Sequence, residues 1–179
     1  MTQQDWHLLG KETLFQNERV LIENWRLQTH HGEVKDFTIK IGSDIVIVFG
    51  ITAKKEVVAI KEYFPANQKK IWSLVGGIIE NGDHRKTAEN ELMEETGCRA
   101  TEFVLLSTLV KGKYESSVVY NYLALDAERV AEQKLEDSED IEVEIIPLPE
   151  FRKLLTSGKI ECVFEVACAY QALEYLNLL

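Results

Sequence analysis

Hydrophobic and polar residues alternate along the first third of the chain in the manner of β-strands. Segments 20–28 and 34–41 alternate in this way and are separated by the turn-like triplet His30-His31-Gly32, which predicts a hairpin. The runs 45–51 and 57–63 are apolar and rich in β-branched residues, which predicts a second hairpin in a more buried sheet.

The hydrophobic period changes to that of a helix after Asp83. Ala88 and Leu92 lie on helical spacing, Asp83 is a candidate N-cap, and Gly97 is placed to end the helix, as left-handed glycines commonly do. Strands are predicted over 103–108, 118–125 and 142–146, and helices over 149–155 and 161–176. The last helix is expected to bury a stripe formed by Val163, Val166, Ala167, Tyr170, Leu173 and Leu176. This order predicts an α/β fold whose mixed sheet is covered on both faces.

Composition and charge narrow the function classes. The 179 residues are 45% hydrophobic and 28% charged, which is typical of an ordinary globular protein. A net charge of −10 argues against nucleic acid or an anionic membrane as partner, because both need a basic surface. Three cysteines without a Cys-x-x-Cys pair favour a reducing cytoplasm. No signal peptide or membrane-spanning run is visible in the sequence.

Three carboxylates share one face of the predicted helix. Glu91, Glu94 and Glu95 stand at i, i+3 and i+4, where each like-charge pair destabilises a helix by roughly 0.2–0.5 kcal/mol. No Lys or Arg precedes any of them by four residues. A divalent cation is the simplest compensation, since hard ions take oxygen ligands. A solvated acidic face is the alternative interpretation of the spacing.

The residues around this helix resemble the Nudix box. Segment 91–98 follows the end of that motif throughout, and Gly77 fits its first glycine. Asp83 stands where the box has glutamate, six residues instead of seven follow it, and Asn90 takes the arginine position.

Segments outside the box are similar to one branch of the family, the ADP-ribose pyrophosphatases. Segments 57–66 and 72–77 resemble its central strands, although Phe64 stands where an arginine is frequent. The acidic run 136–143 is similar to the loop that brings a late carboxylate to the metals. The resemblance implies a Nudix-type α/β/α sandwich over 44–179, preceded by an antiparallel β region over 1–43 that contributes to a homodimer. Edge strands that need covering also favour a dimer.

The resemblance also implies a site for Mg²⁺, with Mn²⁺ as a substitute. Glu91 and Glu95 are the expected ligands, together with the Gly76 carbonyl. Glu94 is a third ligand or holds a metal-bound water, and Glu139 is the mobile ligand or base, with Asp137 as its neighbour.

Other residues are expected to support this site. Asp83 and Asn90 would lie behind the ligands. A glycine pair after a strand allows close backbone approach. Lys111 and Lys113 could supply positive charge to a diphosphate, although a polar connection explains them equally. Trp72 could stack on a base, although packing is the commoner use of a large aromatic.

The expected function is Mg²⁺-dependent hydrolysis of the diphosphate bond in a nucleoside diphosphate linked to another group, of the ADP-ribose or nucleotide-sugar type. The products would be a nucleoside monophosphate and a phosphorylated moiety. A non-catalytic nucleotide-binding or regulatory module of the same fold is the alternative. An enzyme acting on a modified nucleoside triphosphate is a third possibility with the same chemistry.

Overall fold

The computed structural model describes residues 5–18 and 20–179, which divide into two compact units. Unit 1 contains the described residues up to Asp44 together with Val110–Val118, and unit 2 contains Ile45–Leu109 and Val119–Leu179. The strands are β1 His7–Gln16, β2 Leu21–Gln28, β3 Val34–Ile41, β4 Ile45–Ile51, β5 Glu56–Phe64, β6 Lys69–Ser73, β7 Val75–Ile78, β8 Cys98–Arg99, β9 Glu102–Gly112, β10 Glu115–Leu125, β11 Glu128–Arg129 and β12 Ile141–Pro147. The helices are α1 His84–Thr96, α2 Leu148–Thr156 and α3 Val163–Tyr175.

Unit 1 is built on an antiparallel sheet in the order β1-β2-β3. The predicted hairpin forms β2 and β3, whose pairing runs without interruption from Leu21 opposite Ile41 to Gln28 opposite Val34. The sequence pattern missed β1, whose pairing with β2 is irregular at two points. Those irregularities accompany the adjacent apolar pairs Leu8-Leu9 and Leu14-Phe15, which break a two-residue alternation.

Unit 2 contains the predicted mixed sheet. Strand β4 runs parallel to the end of β10 and antiparallel to β5 and β7, and β12 pairs with β5 on the far side. Strand β4 pairs with two strands along different parts of its length. Residues 45–48 pair with β7, whereas Gly50 and Ile51 pair with β5. Beyond that point β5 pairs with β6. The sheet therefore forks at β4, and β7 lies on one arm of the fork.

Helices cover both faces of this sheet, as predicted. Alternate residues of β4 point to opposite faces, as in any strand: Ile47 and Phe49 pack in a core with α2 and α3, whereas Val46 and Val48 pack in a core with α1. Phe49 meets Phe151 of α2 edge to face, with the ring centroids 5.3 Å apart. No helix in the described part of the chain is long and apolar enough to cross a bilayer.

Helix α1 starts and ends where its capping residues predict. The Asp83 carboxylate accepts a hydrogen bond from the Lys86 amide at 2.9 Å, which satisfies one free N–H of the first turn. Gly97 ends the helix in the left-handed conformation, with φ of 69°, and its amide donates to the Met93 carbonyl.

The predicted buried stripe of α3 is only partly correct: Leu173 is buried and Val166 and Leu176 pack against the core, but other members of the stripe do not. Val163 and Tyr170 are 68% and 42% exposed, while the residues that α3 buries are Glu165, Cys168, Ala169, Ala172 and Leu173. Small side chains on the buried face let the helix lie close to the sheet, and apolar residues occur around most of its circumference. A helix that is apolar on several sides gives no periodic signal to identify its buried face.

Gly97 also permits a close approach to the segment after β11. A Cβ at residue 97 would lie 2.0 Å from the Ala131 carbonyl oxygen, in addition to the left-handed backbone. We expect Gly97→Ala to destabilise the protein by at least about 2 kcal/mol, measured by urea unfolding. Gly158→Ala is the matched control, since Gly158 has φ of 71° but nothing within 4 Å of its would-be Cβ. Equal losses in the two variants would contradict the steric argument.

Candidate active site

An acidic cleft of about 460 Å³ lies among β7, α1 and the loop between β11 and β12. Carboxylates dominate its lining, and five of them come from α1 or from the loop. The predicted site residues that the structure brings together here are Gly76, Asn90, Glu91, Glu94, Glu95 and Glu139. Glu80, Lys134 and Glu136 also line the cleft.

Glu95 is the most deeply buried carboxylate of the cleft. Its side chain is 4% exposed, and its Oε2 accepts a hydrogen bond from the Gly76 amide at 3.2 Å. Burial raises its pKa well above the ordinary value, and the nearby charges of Glu91 and Glu62 raise it further, against the lowering effect of Gly76. The Gly76 amide therefore holds Glu95 in place, and no cationic side chain among the described residues offsets the effect of its burial.

Glu91 packs directly against the glycine pair of β7. A Cβ at position 77 would lie 1.9 Å from Glu91 Oε1, so any residue larger than glycine would displace this carboxylate. Burial, followed by repulsion from Glu94 and Glu139, raises the pKa of Glu91 to about 7. Gly77 is thus required for the approach of a site carboxylate to the sheet.

The acidic loop is attached to the C-terminal end of α1. The Gln133 Nε2 donates to the Glu95 carbonyl at 2.7 Å, and the Lys134 amide donates to the Glu94 carbonyl at 2.8 Å. These bonds satisfy carbonyls that a helix end leaves without partners. Further along, Lys70 pairs with Asp140 at 2.6 Å and with Glu142 at 2.7 Å. Anchored at both ends, the loop places Glu139 at the cleft.

Several predicted residues lie away from the cleft lining. Asp83 caps α1, as described above, and Asp137 lies in the acidic loop without lining the cleft. Trp72 packs beside the core that faces α2 and α3, with Lys61 Nζ 4.4 Å from its ring centroid. Its role in base stacking stays a prediction.

The two predicted substrate lysines belong to unit 1. Lys111 Nζ donates to the Ser43 carbonyl at 2.7 Å and lies 3.8 Å from Glu115, so its charge is engaged within that unit. Lys113 Nζ lies 5.2 Å from the Tyr114 ring centroid. The polar connection that carries them is a tight turn, because β9 continues to Gly112 and β10 begins at Glu115. Phosphate binding by these lysines stays a prediction.

Sequence reasoning missed Gln133, Lys134 and the half-buried Glu62. No motif marks Gln133, whose role depends on a contact with residue 95 across 38 positions. Glu62 directly follows Lys61 after the apolar run of β5, and its charge acts on Glu95. Its charge within a buried strand was an available signal.

The donor set of the cleft fits a divalent cation. Among residues 5–18 and 20–179, no three carboxylate, imidazole or thiol side chains converge closely enough to hold an ion by themselves. Mg²⁺ rarely needs such a cage, since it keeps several waters and binds through one or two carboxylates. Glu91 and Glu95 are oxygen donors whose mutual repulsion a hard cation would relieve.

Fold and site together define the class of protein. It is an α/β domain in which a helix and a loop present carboxylates to one cleft. The sequence matches the NUDIX domain family over residues 43–165. The chain therefore belongs to the Nudix family and is a pyrophosphohydrolase. Its fold is similar to a crystal structure titled ADP compounds hydrolase, with a TM-score of 0.85 and 20% identity over 99% of this chain and 97% of that one. A search of curated proteins gave no match.

The metal-free protein should lose stability as pH rises. The folded-state pKa of Glu91 is about 7 against an ordinary value of 4.5. Stability from its protonated form is therefore complete below about pH 4.5 and is lost as pH rises through about 7. We expect the Tm measured in chelator to fall between pH 5 and 8, and Glu91→Gln to flatten this slope. Glu89→Gln, on the same helix and paired with Arg85, is the control. A Tm of Glu91→Gln that falls as steeply as wild type would contradict the assignment.

Proposed function

We propose that this enzyme hydrolyses the diphosphate bond of a nucleoside diphosphate linked to a further group, of the ADP-ribose or nucleotide-sugar type, with Mg²⁺. The observation that carries the proposal is the convergence of Glu91, Glu95 and Glu139, from a helix and a loop, on one cleft beside Gly76 and Gly77. The likeness to a structure titled ADP compounds hydrolase supports the substrate class.

Different residues of the cleft would take different roles in this hydrolysis. Glu91 and Glu95 would hold the cation, with Glu94 and the Gly76 carbonyl completing the contacts. When bound, the ion neutralises phosphate oxygens and lowers the pKa of water. Glu139 would take the proton of a water that attacks one phosphorus as the bridging P–O bond breaks. A nucleoside monophosphate and a phosphorylated moiety are released.

The test is product release from ADP-ribose, nucleotide sugars, dinucleoside polyphosphates and nucleoside triphosphates, with and without Mg²⁺. Glu95→Gln should reduce kcat at least about 100-fold, because loss of a group that merely supports a metal ligand already costs 10–100-fold. Glu89→Gln should keep wild-type turnover, since Glu89 lies on the same helix but outside the cleft lining. Preference for triphosphates would overturn the substrate class. Silence across the panel, with Mg²⁺ still binding, would favour a binding module instead.

We also propose that the protein is a homodimer formed through unit 1. All ten residues of β1 are exposed, and the strand carries Leu8, Leu9, Leu14 and Phe15, each about half exposed. A long edge strand with apolar side chains on it is a ready surface for pairing with another chain. The partner that we propose for this strand is the β1 strand of a second copy of the chain, in its own unit 1.

Leu14→Lys should convert a dimer to a monomer, because a desolvated lysine would weaken the interface. Light scattering should give twice the 20.5 kDa chain mass for wild type and the single-chain mass for the variant. Leu179→Lys is the matched control, since Leu179 is 57% exposed but lies in unit 2. A monomeric wild type would refute the dimer.

A reducing compartment such as the cytoplasm fits the thiols. Cys98 and Cys168 are buried, Cys162 is half-buried, and all three are free. Burial raises the pKa of Cys162 to about 11, and hydrogen bonding to Glu165 contributes to the rise. Thiols of this kind are unreactive and are retained where disulfides do not form.

A further inference from the structure

A second pocket of unit 2 lies between α1, the end of β8 and the start of β9, and encloses about 350 Å³. We call it the basic pocket, after Arg85, Lys86 and Arg99 in its lining. Among the described residues, it shares only Asn90 with the lining of the acidic cleft. Its other α1 residues are 85, 86, 89 and 93, whereas those of the cleft are 87, 91, 94 and 95. The two spaces therefore lie on different faces of one helix.

The basic pocket carries an excess of positive charge on a chain whose net charge is −10. Its three cations face one carboxylate among the described residues of its lining, that of Glu89. Exposed charges separated by more than a Debye length, about 8 Å at physiological ionic strength, are largely screened from one another. The charges of the pocket itself therefore decide which small ligand it attracts, and they favour an anion.

Arg85 is held in one orientation by three contacts. Its Nε donates to Glu89 Oε1 at 2.9 Å, its Nη1 donates to the Phe103 carbonyl at 2.8 Å, and its Cζ lies 5.0 Å from the centroid of the Phe103 ring. No described residue accepts a hydrogen bond from its Nη2. A guanidinium that is already ordered loses little conformational freedom when a ligand binds, so its remaining N–H groups are prepared donors.

Arg99 and Lys86 add cations that the protein neutralises weakly. The Arg99 side chain forms no hydrogen bond or ion pair with the described residues, although Glu128 lies opposite it where β8 pairs with β11. The Lys86 side chain is 63% exposed, and its Nζ lies 3.7 Å from Glu89 Oε2, on a carboxylate already bonded to Arg85. All three cations of the pocket thus have donors available to an acceptor from outside.

We propose that the basic pocket binds the phosphate group of a small phosphate monoester, with Arg99, Lys86 and Arg85 as the donors. Such a group carries close to two negative charges near neutral pH and has three strong acceptor oxygens. Both properties match three cations that share a single carboxylate, and guanidinium groups bind pairs of phosphate oxygens through parallel N–H donors. The inference does not rest on the proposed function, because the pocket and the acidic cleft are separate spaces.

The remaining lining accommodates the organic part of the ester. Met93 and Ala100 provide apolar surface, and the exposed Asn90 amide offers both a donor and an acceptor. The volume falls within the roughly 300–1,000 Å³ of ordinary ligand pockets. The pocket is therefore large enough for more than a phosphate ion alone.

Calorimetry with AMP and with adenosine tests the site in protein freed of metal ions by a chelating resin. Without a cation, the carboxylates of the acidic cleft repel anions, so AMP bound under these conditions reports on the basic pocket. AMP should bind, with an affinity that falls as NaCl is added, and adenosine should not. Inorganic phosphate should bind at least about threefold more weakly than AMP, because it makes no apolar contacts.

Three substitutions locate the site, each removing one positive charge from an exposed side chain. Arg99→Gln and Lys86→Gln should each weaken AMP binding at least about fivefold, because hydrogen bonds between charged groups are the stronger ones. Arg152→Gln is the matched control, since Arg152 lies on α2 outside the lining of the pocket, and its AMP affinity should stay within about twofold of wild type.

Several outcomes would overturn the site. Absence of AMP binding in the metal-free protein, or binding that requires Mg²⁺, would refute it, the second by assigning AMP to the acidic cleft. Equal losses in Arg152→Gln and Arg99→Gln would mean that only net charge matters. Adenosine bound as tightly as AMP, or succinate bound more tightly, would refute recognition of phosphate, and inorganic phosphate bound as tightly as AMP would refute the monoester.

Discussion

The burial of like charges is the constraint around which unit 2 is arranged. Glu95 is almost inaccessible to solvent, and Glu91 stands beside it with a pKa near neutrality. Electrostatics alone would push these groups apart and toward water. The fold opposes that tendency with short-range geometry: Gly77 leaves room for Glu91, the Gly76 amide binds Glu95, and the helix that carries both is capped at each end. The buried like charges lower the stability of the folded protein, and the resulting cleft is ready to bind a cation.

Sequence reasoning succeeded where the signal is local. Asp83 and Gly97 mark the ends of α1 because capping depends on a few neighbouring atoms, and β4 and β5 are visible as short apolar runs. It failed for β1, whose irregular pairing breaks the alternation, and in part for the buried face of α3, whose apolar residues surround the helix. In both cases the decisive information lies in the partner element, which a periodic pattern does not contain.

The candidate site also contains residues that local sequence signals predict and residues that they do not. Glu91, Glu94 and Glu95 follow from helical spacing, and Glu139 from an acidic run resembling a known loop. Gln133 could not be found that way, because its role arises from a contact with Glu95, which is distant in the chain.

The bond from Gln133 to the Glu95 carbonyl couples the end of α1 to the acidic loop. Here the last turn of α1 and the start of the acidic loop complete each other's hydrogen bonding, so fraying of the helix end and release of the loop belong to one cooperative opening. Amide hydrogens around residues 95–97 and 130–134 would then exchange with solvent at a common rate, which makes the helix terminus a reporter of loop motion.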